Sequence, residues 1–479
     1  MVTIGQILIQ EGIITMPQLK QALDYQKSHG GRLGEALVSL GFISPFELKQ
    51  FFNVVPAVPM RAEQTGLTNS FLTDMILKLA HTEGGTFTMP NMSQSLCLTT
   101  NVIDELTQTA KKDGLIIIRA ATGFNLSQQM FELTTIGRQR AVDALEQCRY
   151  VGPVPVPLKH FNIMTQRQTV RQIDIDFEWV QKALGHLVLK DQFIRQLGPA
   201  FNSGSSIFLY GAPGLGKSSI AEGLSMAIES CVYIPYAVEI DGQVMRVFDT
   251  SVHIPVESGP AEENQISEIM VKTTHDLRWK YCRRPVVTVG GELTLAALDL
   301  DYDPISRIYE APAHIKATNG VFVLDDLGRQ VIQPRQLLNR WIVPMERGVD
   351  YLSLHTGRKF SVPFDQITFF CTNMKPSDLV DDAFLRRIRH KIKVDYQSES
   401  EFLETIRRVC EHYGVCFSTS AADYLIENYY TKAGRPMVGS HPRDLVQQII
   451  DRARFMKIKP ELSPEAIDAA AGNYFVKHE

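Results

Sequence analysis

Lys217 and Ser218 close the octet Gly211-Ala212-Pro213-Gly214-Leu215-Gly216-Lys217-Ser218, and the chemistry these residues offer is that of holding a phosphate. Gly211, Gly214 and Gly216 let the backbone fold so that its N–H groups converge on an anion. The Lys217 ammonium adds a point charge for the β- and γ-phosphates of a nucleotide, and the Ser218 hydroxyl is a hard oxygen ligand for Mg2+. Directly before the octet the apolar run Ile207-Phe208-Leu209-Tyr210 reads as a strand. Directly after it, Ser219-Ile220-Ala221-Glu222-Gly223-Leu224 reads as a helix, whose N-terminus favours the same anion. Gly211, Pro213, Gly214, Gly216, Lys217, Ser218 and Ser219 are therefore the candidate residues for ATP, with Ser218 also on the metal.

A second group lies about 110 residues downstream, where Gly320-Val321-Phe322-Val323-Leu324 reads as a buried parallel strand ending in Asp325-Asp326. Two carboxylates at a strand end suit a division of labour: Asp325 holds the Mg2+ shell, and Asp326 orients and deprotonates an attacking water. A third strand, Ile367-Thr368-Phe369-Phe370-Cys371-Thr372, ends in the amide of Asn373. Before it, Val349 to Leu354 and Lys359 to Pro363 flank Thr356-Gly357 as a hairpin. Asp381-Asp382-Ala383-Phe384-Leu385-Arg386-Arg387-Ile388 places paired arginines just ahead of a strand-like Lys391-Ile392-Lys393-Val394. Gly439-Ser440-His441-Pro442-Arg443-Asp444 then opens a helix, with Ser440 as its expected N-cap.

This ordered set resembles the AAA+ ATPases over roughly residues 176–479. The resemblance implies an α/β fold: a P-loop NTPase core, a parallel sheet flanked by helices, with a helical lid. It further implies that Asn373 positions water or the γ-phosphate, that Arg386 or Arg387 reaches into a neighbouring subunit, and that Arg443 contacts the γ-phosphate from the lid. The hairpin around Thr356 is similar to the pre-sensor hairpin of the clade that includes the MoxR-like ATPases. One departure stands out: Asp326 takes the place usually held by Glu and is one methylene shorter, so the expectation is slow hydrolysis or an attacking water that sits in a shifted position.

The first 55 residues repeat themselves at an offset of 29: Thr3-Ile4-Gly5 through Gly12-Ile13-Ile14 matches Arg32-Leu33-Gly34 through Gly41-Phe42-Ile43. Each unit reads as a short helix, a glycine turn and a second helix opened by Thr15 or Ser44, with Pro17 or Pro45 in its first turn. The pattern resembles the N-terminal domain of type II secretion and type IV pilus assembly ATPases that bind cyclic di-GMP, which implies Gln26, Arg32, Leu33 and Gly34 as contacts. Thr3 stands where that pattern has Arg, and Val55 where it has Gln. A partner-docking module is the alternative. Residues 66–150 resemble a winged-helix domain, with Leu98, Val102, Leu106 and Ala110 on one helical face. Seven Lys/Arg against eight Asp/Glu there, with Asp104 and Glu105 on the candidate recognition helix, oppose nucleic acid as the partner and favour protein contact.

The expected organisation is therefore 1–58 helical repeat, 66–150 winged-helix-like, 151–175 Pro-rich linker, 176–395 ATPase core and 396–479 lid. The linker rests on Val151-Gly152-Pro153-Val154-Pro155-Val156-Pro157. Residues 231–312 exceed what joins two core strands and suggest an inserted β element that includes Pro285 to Val289. The net charge of −4 offers no electrostatic reason for nucleic acid or an anionic membrane as main partner, and no apolar run is long enough to span a bilayer. Seven scattered cysteines without a CxxC pair fit reduced cytosol, and no export signal is evident, so a cytoplasmic protein is expected. The functional expectation is an ATP-hydrolysing hexameric ring that remodels or regulates a macromolecular partner, a protein client or regulatory partner, under control of cyclic di-GMP. A low-turnover ATP-switched scaffold is the alternative, with a DNA-binding regulatory ATPase behind it.

Overall fold

The computed structural model describes residues 8, 13–30, 33–45, 47–48, 55–121, 129–256, 275–379 and 385–475. Helix α1 (Met16–His29) opens at Thr15, whose N–H and hydroxyl both donate to Gln18 Oε1 at 2.8 and 2.9 Å, and it stops at Gly30 with φ 73°. After α2 (Leu33–Ser39), Ser44 and Glu47 repeat the reciprocal cap, with Ser44 N–H donating to Glu47 Oε2 and Glu47 N–H to Ser44 Oγ. Leu8, Ile14, Leu19, Ala22, Ala36, Leu37 and Ile43 bury one small apolar cluster.

The next unit comprises α3 (Asn69–Thr82), β1 (Thr86–Thr88), α4 (Met89–Leu96), α5 (Thr100–Lys112), β2 (Ile116–Ala121), β3 (Gln129–Leu133) and α6 (Thr135–Gln147), with sheet order β1-β3-β2. Leu72, Met75 and Ile76 of α3 and Val102, Leu106 and Ala110 of α5 meet in its core, as their helical spacing requires. Glu105 is engaged inside the molecule, its Oε2 accepting the Ala62 N–H at 2.9 Å.

The stretch 151–175 differs from the expected extended linker. Val154 and Val156 are buried, Val156–Pro157 (β4) pairs in parallel with residues 238–239, and Leu158–Arg167 (α7) is a helix. Strand β4 is the outer strand of its sheet, the position at which a proline without an N–H costs no ladder bond. A buried pair fastens this region: Arg278 donates to Asp276 Oδ2 at 2.8 Å and to the carbonyls of Thr65 and Pro155, while Asp276 N–H donates to Pro56 O.

Helices α8 (Phe177–Ala183) and α9 (Asp191–Asn202) lead to β5 (Ile207–Tyr210) and α10 (Lys217–Met226). Then come β6 (Cys231–Pro235), β7 (Ala237–Ile240), β8 (Gln243–Arg246), β9 (Trp279–Arg283), β10 (Val286–Val289), β11 (Asp301–Asp303), β12 (Ile308–Glu310), α11 (Ala313–Lys316) and β13 (Val321–Leu324). The chain continues with α12 (Pro334–Arg347), β14 (Val349–Ser353), β15 (Lys359–Pro363), β16 (Ile367–Thr372), α13 (Pro376–Leu379) and β17 (His390–Lys393). The central sheet runs β10-β13-β16-β5-β17, every neighbour parallel, with helices packed against it. Phe208, Phe322, Phe369 and Phe370 point into its two faces fully buried, each contributing about 2–3 kcal/mol by leaving water. With the glycine-rich loop after β5, this is a parallel sheet flanked by helices with a phosphate loop at its edge, the arrangement that the AAA+ resemblance implies.

The insert is real but its bounds shift. Strands β11-β12-β8-β7-β4 form a separate sheet and β6 pairs with β9, whereas Val286–Val289 belongs to the central sheet, in register with Val321–Leu324. The expected hairpin is β14–β15, turning at Gly357 with φ 85°. Behind it His314 and Arg340 both bond the buried Asp350, tying α11 and α12 to the hairpin. Helices α14 (Glu399–Tyr413), α15 (Thr419–Ile426), α16 (His441–Met456) and α17 (Pro464–Tyr474) close on their own core of Phe402, Ile406, Leu425, Val446, Ile449 and Ile467.

Candidate nucleotide-binding site

The sheet order decides what can meet. Strand β16 lies between β13 and β5, so the ends of all three converge on one edge and bring Asp325, Asp326 and Asn373 to the phosphate loop. Lys217 is buried and donates to Gly211 O at 3.0 Å, Ala212 O at 2.8 Å and Asn373 Oδ1 at 2.7 Å. Asn373 passes the contact on, its Nδ2 donating to Asp326 Oδ1 at 2.8 Å. Ser218 Oγ lies 2.7 and 2.8 Å from the two oxygens of Asp325. Burial pulls the Lys217 ammonium below the ordinary lysine value, against the opposing pull of nearby groups that include Asp326 and Asp325.

The loop is shaped by its glycines. Gly214 has φ 78°, and a Cβ there would come within 2.5 Å of Ser440 Oγ and 2.7 Å of Val438 Cγ1. Gly216, at φ 83°, stands at the N-cap of α10, and a Cβ there would meet nothing within 4 Å. The loop is thus fenced by the lid on one side and open at the helix N-terminus, where free backbone N–H groups suit an anion. Pro213 and Ser219 are exposed on its rim. The oxygen pair Ser218–Asp325 is the hard donor set that Mg2+ takes, so the residues present fit both ATP and the metal.

Asp326 adopts φ 51°, a left-handed conformation that aspartate tolerates better than most residues and that turns its carboxylate back toward Asn373. Two supports escape a sequence reading. Gln330 Nε2 donates to Asp325 O while its Oε1 accepts the Gly328 N–H, both at 2.8 Å, and Thr372 Oγ1 donates to Leu327 O at 2.6 Å. Gln330 lies in an irregular loop, and its five-residue distance from Asp325 carries no pattern that sequence could have flagged.

The arginines stand apart from this cluster. Arg387 is paired with Glu346 at the end of α12, whereas Arg386 is exposed. Arg443, in the first turn of α16, is exposed with Nε 3.3 Å from Asp444 Oδ1 and makes no hydrogen bond to the loop among the described residues. Ser440 differs from expectation: it precedes α16 but makes no side-chain cap, and its N–H donates to Gly214 O at 3.0 Å. In the N-terminal repeat Gln26 lies on α1, Leu33 and Gly34 lie on α2, and Arg32 is outside the described residues.

Among known proteins, the profile described as "Domain of unknown function (DUF8689)" matches residues 398–473, the lid helices. None of the curated proteins compared with the chain matches it. Among solved structures, a mutant of RuvB from Thermotoga maritima is similar at 12% identity over 63% of this chain and 74% of its own, with TM-score 0.36. Domain III of the replication initiation protein DnaA from the same organism is 11% identical over 62% of this chain and 98% of its own, TM-score 0.35. NtrX from Brucella abortus is 11% identical over 72% and 62%, TM-score 0.35. The fold rests on the chain's own strand order and phosphate loop. No helix among the described residues is long and apolar enough to cross a membrane.

Proposed function

We propose that the chain binds and hydrolyses ATP at residues 211–219, in a ring whose sites are shared between subunits, and uses the cycle to remodel or regulate a protein partner. The observation that supports this is the continuous hydrogen-bonded path Lys217–Asn373–Asp326 beside the Ser218–Asp325 oxygen pair. Lys217 rests on two loop carbonyls, contacts it exchanges for the β- and γ-phosphates when ATP enters. Asp326 takes a proton from water as the water oxygen bonds to the γ-phosphorus and the bond to the β-phosphate oxygen breaks, releasing ADP and phosphate. Asn373 fixes the distance between the charge that holds phosphate and the carboxylate that holds water. Mg2+, when bound at Ser218 and Asp325, neutralises charge on the phosphates.

Arg386 is the residue proposed to reach a neighbour's γ-phosphate, because Arg387 is already paired within its own chain. Arg443 is the proposed lid contact, one turn beyond the Ser440–Gly214 bond. The test is phosphate release in mixed oligomers. Arg386→Ala subunits mixed with Asp326→Ala subunits recover turnover at shared sites, whereas Arg387→Ala subunits alone retain activity; the reverse pattern sinks this assignment.

A second reading has its own support: Asp326 is a short carboxylate already engaged by Asn373, which favours a slow, ATP-switched scaffold. Tight ATP binding with turnover below about one per minute would favour it. Control by cyclic di-GMP through Gln26, Arg32, Leu33 and Gly34 is part of the proposal. Its check is calorimetric titration of wild type against Arg32→Ala, and no heat at high micromolar ligand removes it.

A further inference from the structure

Far from the phosphate loop in sequence, residues 149–153 after α6 face the insert strands across a cleft of about 290 Å3. Its walls carry two guanidinium groups, Arg149 and Arg246, and three aromatic rings, Tyr150, Tyr236 and Phe248; none of its lining residues is acidic. Arg246 gives Nε to Glu310 at 2.8 Å, which aims the guanidinium, and its terminal nitrogens make no hydrogen bond among the described residues. The other oxygen of Glu310 is taken by Lys316 at 2.6 Å, a cation it shares with Asp249, and on the other side Asp303 is close enough to Arg149 to feel its charge. Arg149 is exposed, and its own N–H donates to Ser306 O at 2.9 Å, which pins the arginine's backbone to the insert. Tyr236 and Phe248 are half-buried rings in contact at 5.3 Å and 60°, with His253 stacked on Phe248 at 5.6 Å and Lys280 Nζ 5.8 Å from the Tyr236 centroid. Tyr150 gives its hydroxyl to Pro153 O and offers only its ring.

Guanidinium forks bind phosphate oxygens in pairs, and aromatic faces beside cations take planar bases. We propose that this cleft binds a nucleotide distinct from the ATP of the phosphate loop, with a purine ring against Tyr236 and Phe248 and its phosphate on Arg149 and Arg246. The volume lies just below the usual range of ligand pockets, about 300–1,000 Å3, which limits the ligand to one no larger than a mononucleotide. Because one wall belongs to the unit of α3–α6 and the other to the insert, the bound nucleotide bridges the two.

The experiment is calorimetric titration of AMP, GMP and inorganic phosphate into the full chain and its variants. AMP or GMP binds wild type and Lys217→Ala alike, and binds Arg149→Ala and Arg246→Ala at least tenfold more weakly, with Arg149→Lys intermediate. Circular dichroism melts of Arg149→Ala, an exposed position, establish that the fold is kept. The proposal is overturned if neither nucleotide gives heat at 1 mM (about the weakest useful affinity), if Lys217→Ala abolishes binding while the arginine variants keep it, or if phosphate alone binds as tightly as the nucleotides.

Discussion

Two charged networks in this protein are built alike and behave differently. At Asp276–Arg278 the guanidinium is satisfied by a carboxylate and two carbonyls, both side chains are out of water, and the contacts join segments from three parts of the chain. At Lys217 the ammonium is also buried, but two of its three partners are carbonyls of its own loop, and the third is an amide that divides itself between two charges. The first network is fastened; the second is parked. A charge held by many distant segments cannot leave without the fold, whereas a charge resting on its own loop can change partners when a better anion arrives.

The largest effect expected tests the fastened side. Arg278→Ala strands a buried carboxylate and costs about 3–5 kcal/mol of stability, read as a drop in the urea midpoint. A loss under about 1 kcal/mol would erase the distinction. Lys217→Ala probes the parked side: phosphate release falls about 100-fold or more, with the urea midpoint nearly unchanged. Asn373→Ala sharpens it, because removing the bridge lowers turnover about 30-fold while ATP affinity stays within a few fold. The smallest effect concerns a third network. Burial pushes the Asp350 carboxyl up, but hydrogen bonds from His314 and Arg340 outweigh it and hold the group below the ordinary carboxylate value. A depressed folded value means that the stabilisation is complete above the unfolded pKa of about 4 and is lost as pH falls through the folded one. Asp350→Asn therefore costs about 1.5 kcal/mol at pH 7, and its deficit against wild type shrinks below pH 4.

The same distinction explains what was legible. Parked charges advertise themselves: glycines must precede Lys217, and Asp325 and Asn373 must end apolar strands such as Val321–Leu324 and Ile367–Thr372, because parallel strands buried on both faces read as unbroken apolar runs. Fastened charges carry no such context. Nothing near Asp276 announces Thr65 or Pro155, and nothing near His314 announces Asp350; these pairs exist only once the chain is folded. Val151 to Pro157 misled for a related reason, since alternating Pro and Val suits an exposed linker and a sheet-edge strand equally, and the sheet it joins lies 80 residues away at Ala237–Ile240. In sequence Val286–Val289 reads as part of the insert because its partner β13 comes only after the whole insert has been traversed.

The contact between Gly214 and Ser440 has a mechanical consequence. The tip of the loop has no room for a side chain because the lid already occupies it, and the lid's amide grips the loop's carbonyl at 3.0 Å. Loop shape and lid angle are then a single coordinate, geared together like teeth on two wheels. A change of loop shape between Gly211 and Ser218 would bear directly on Ser440, more than 200 residues further along the chain.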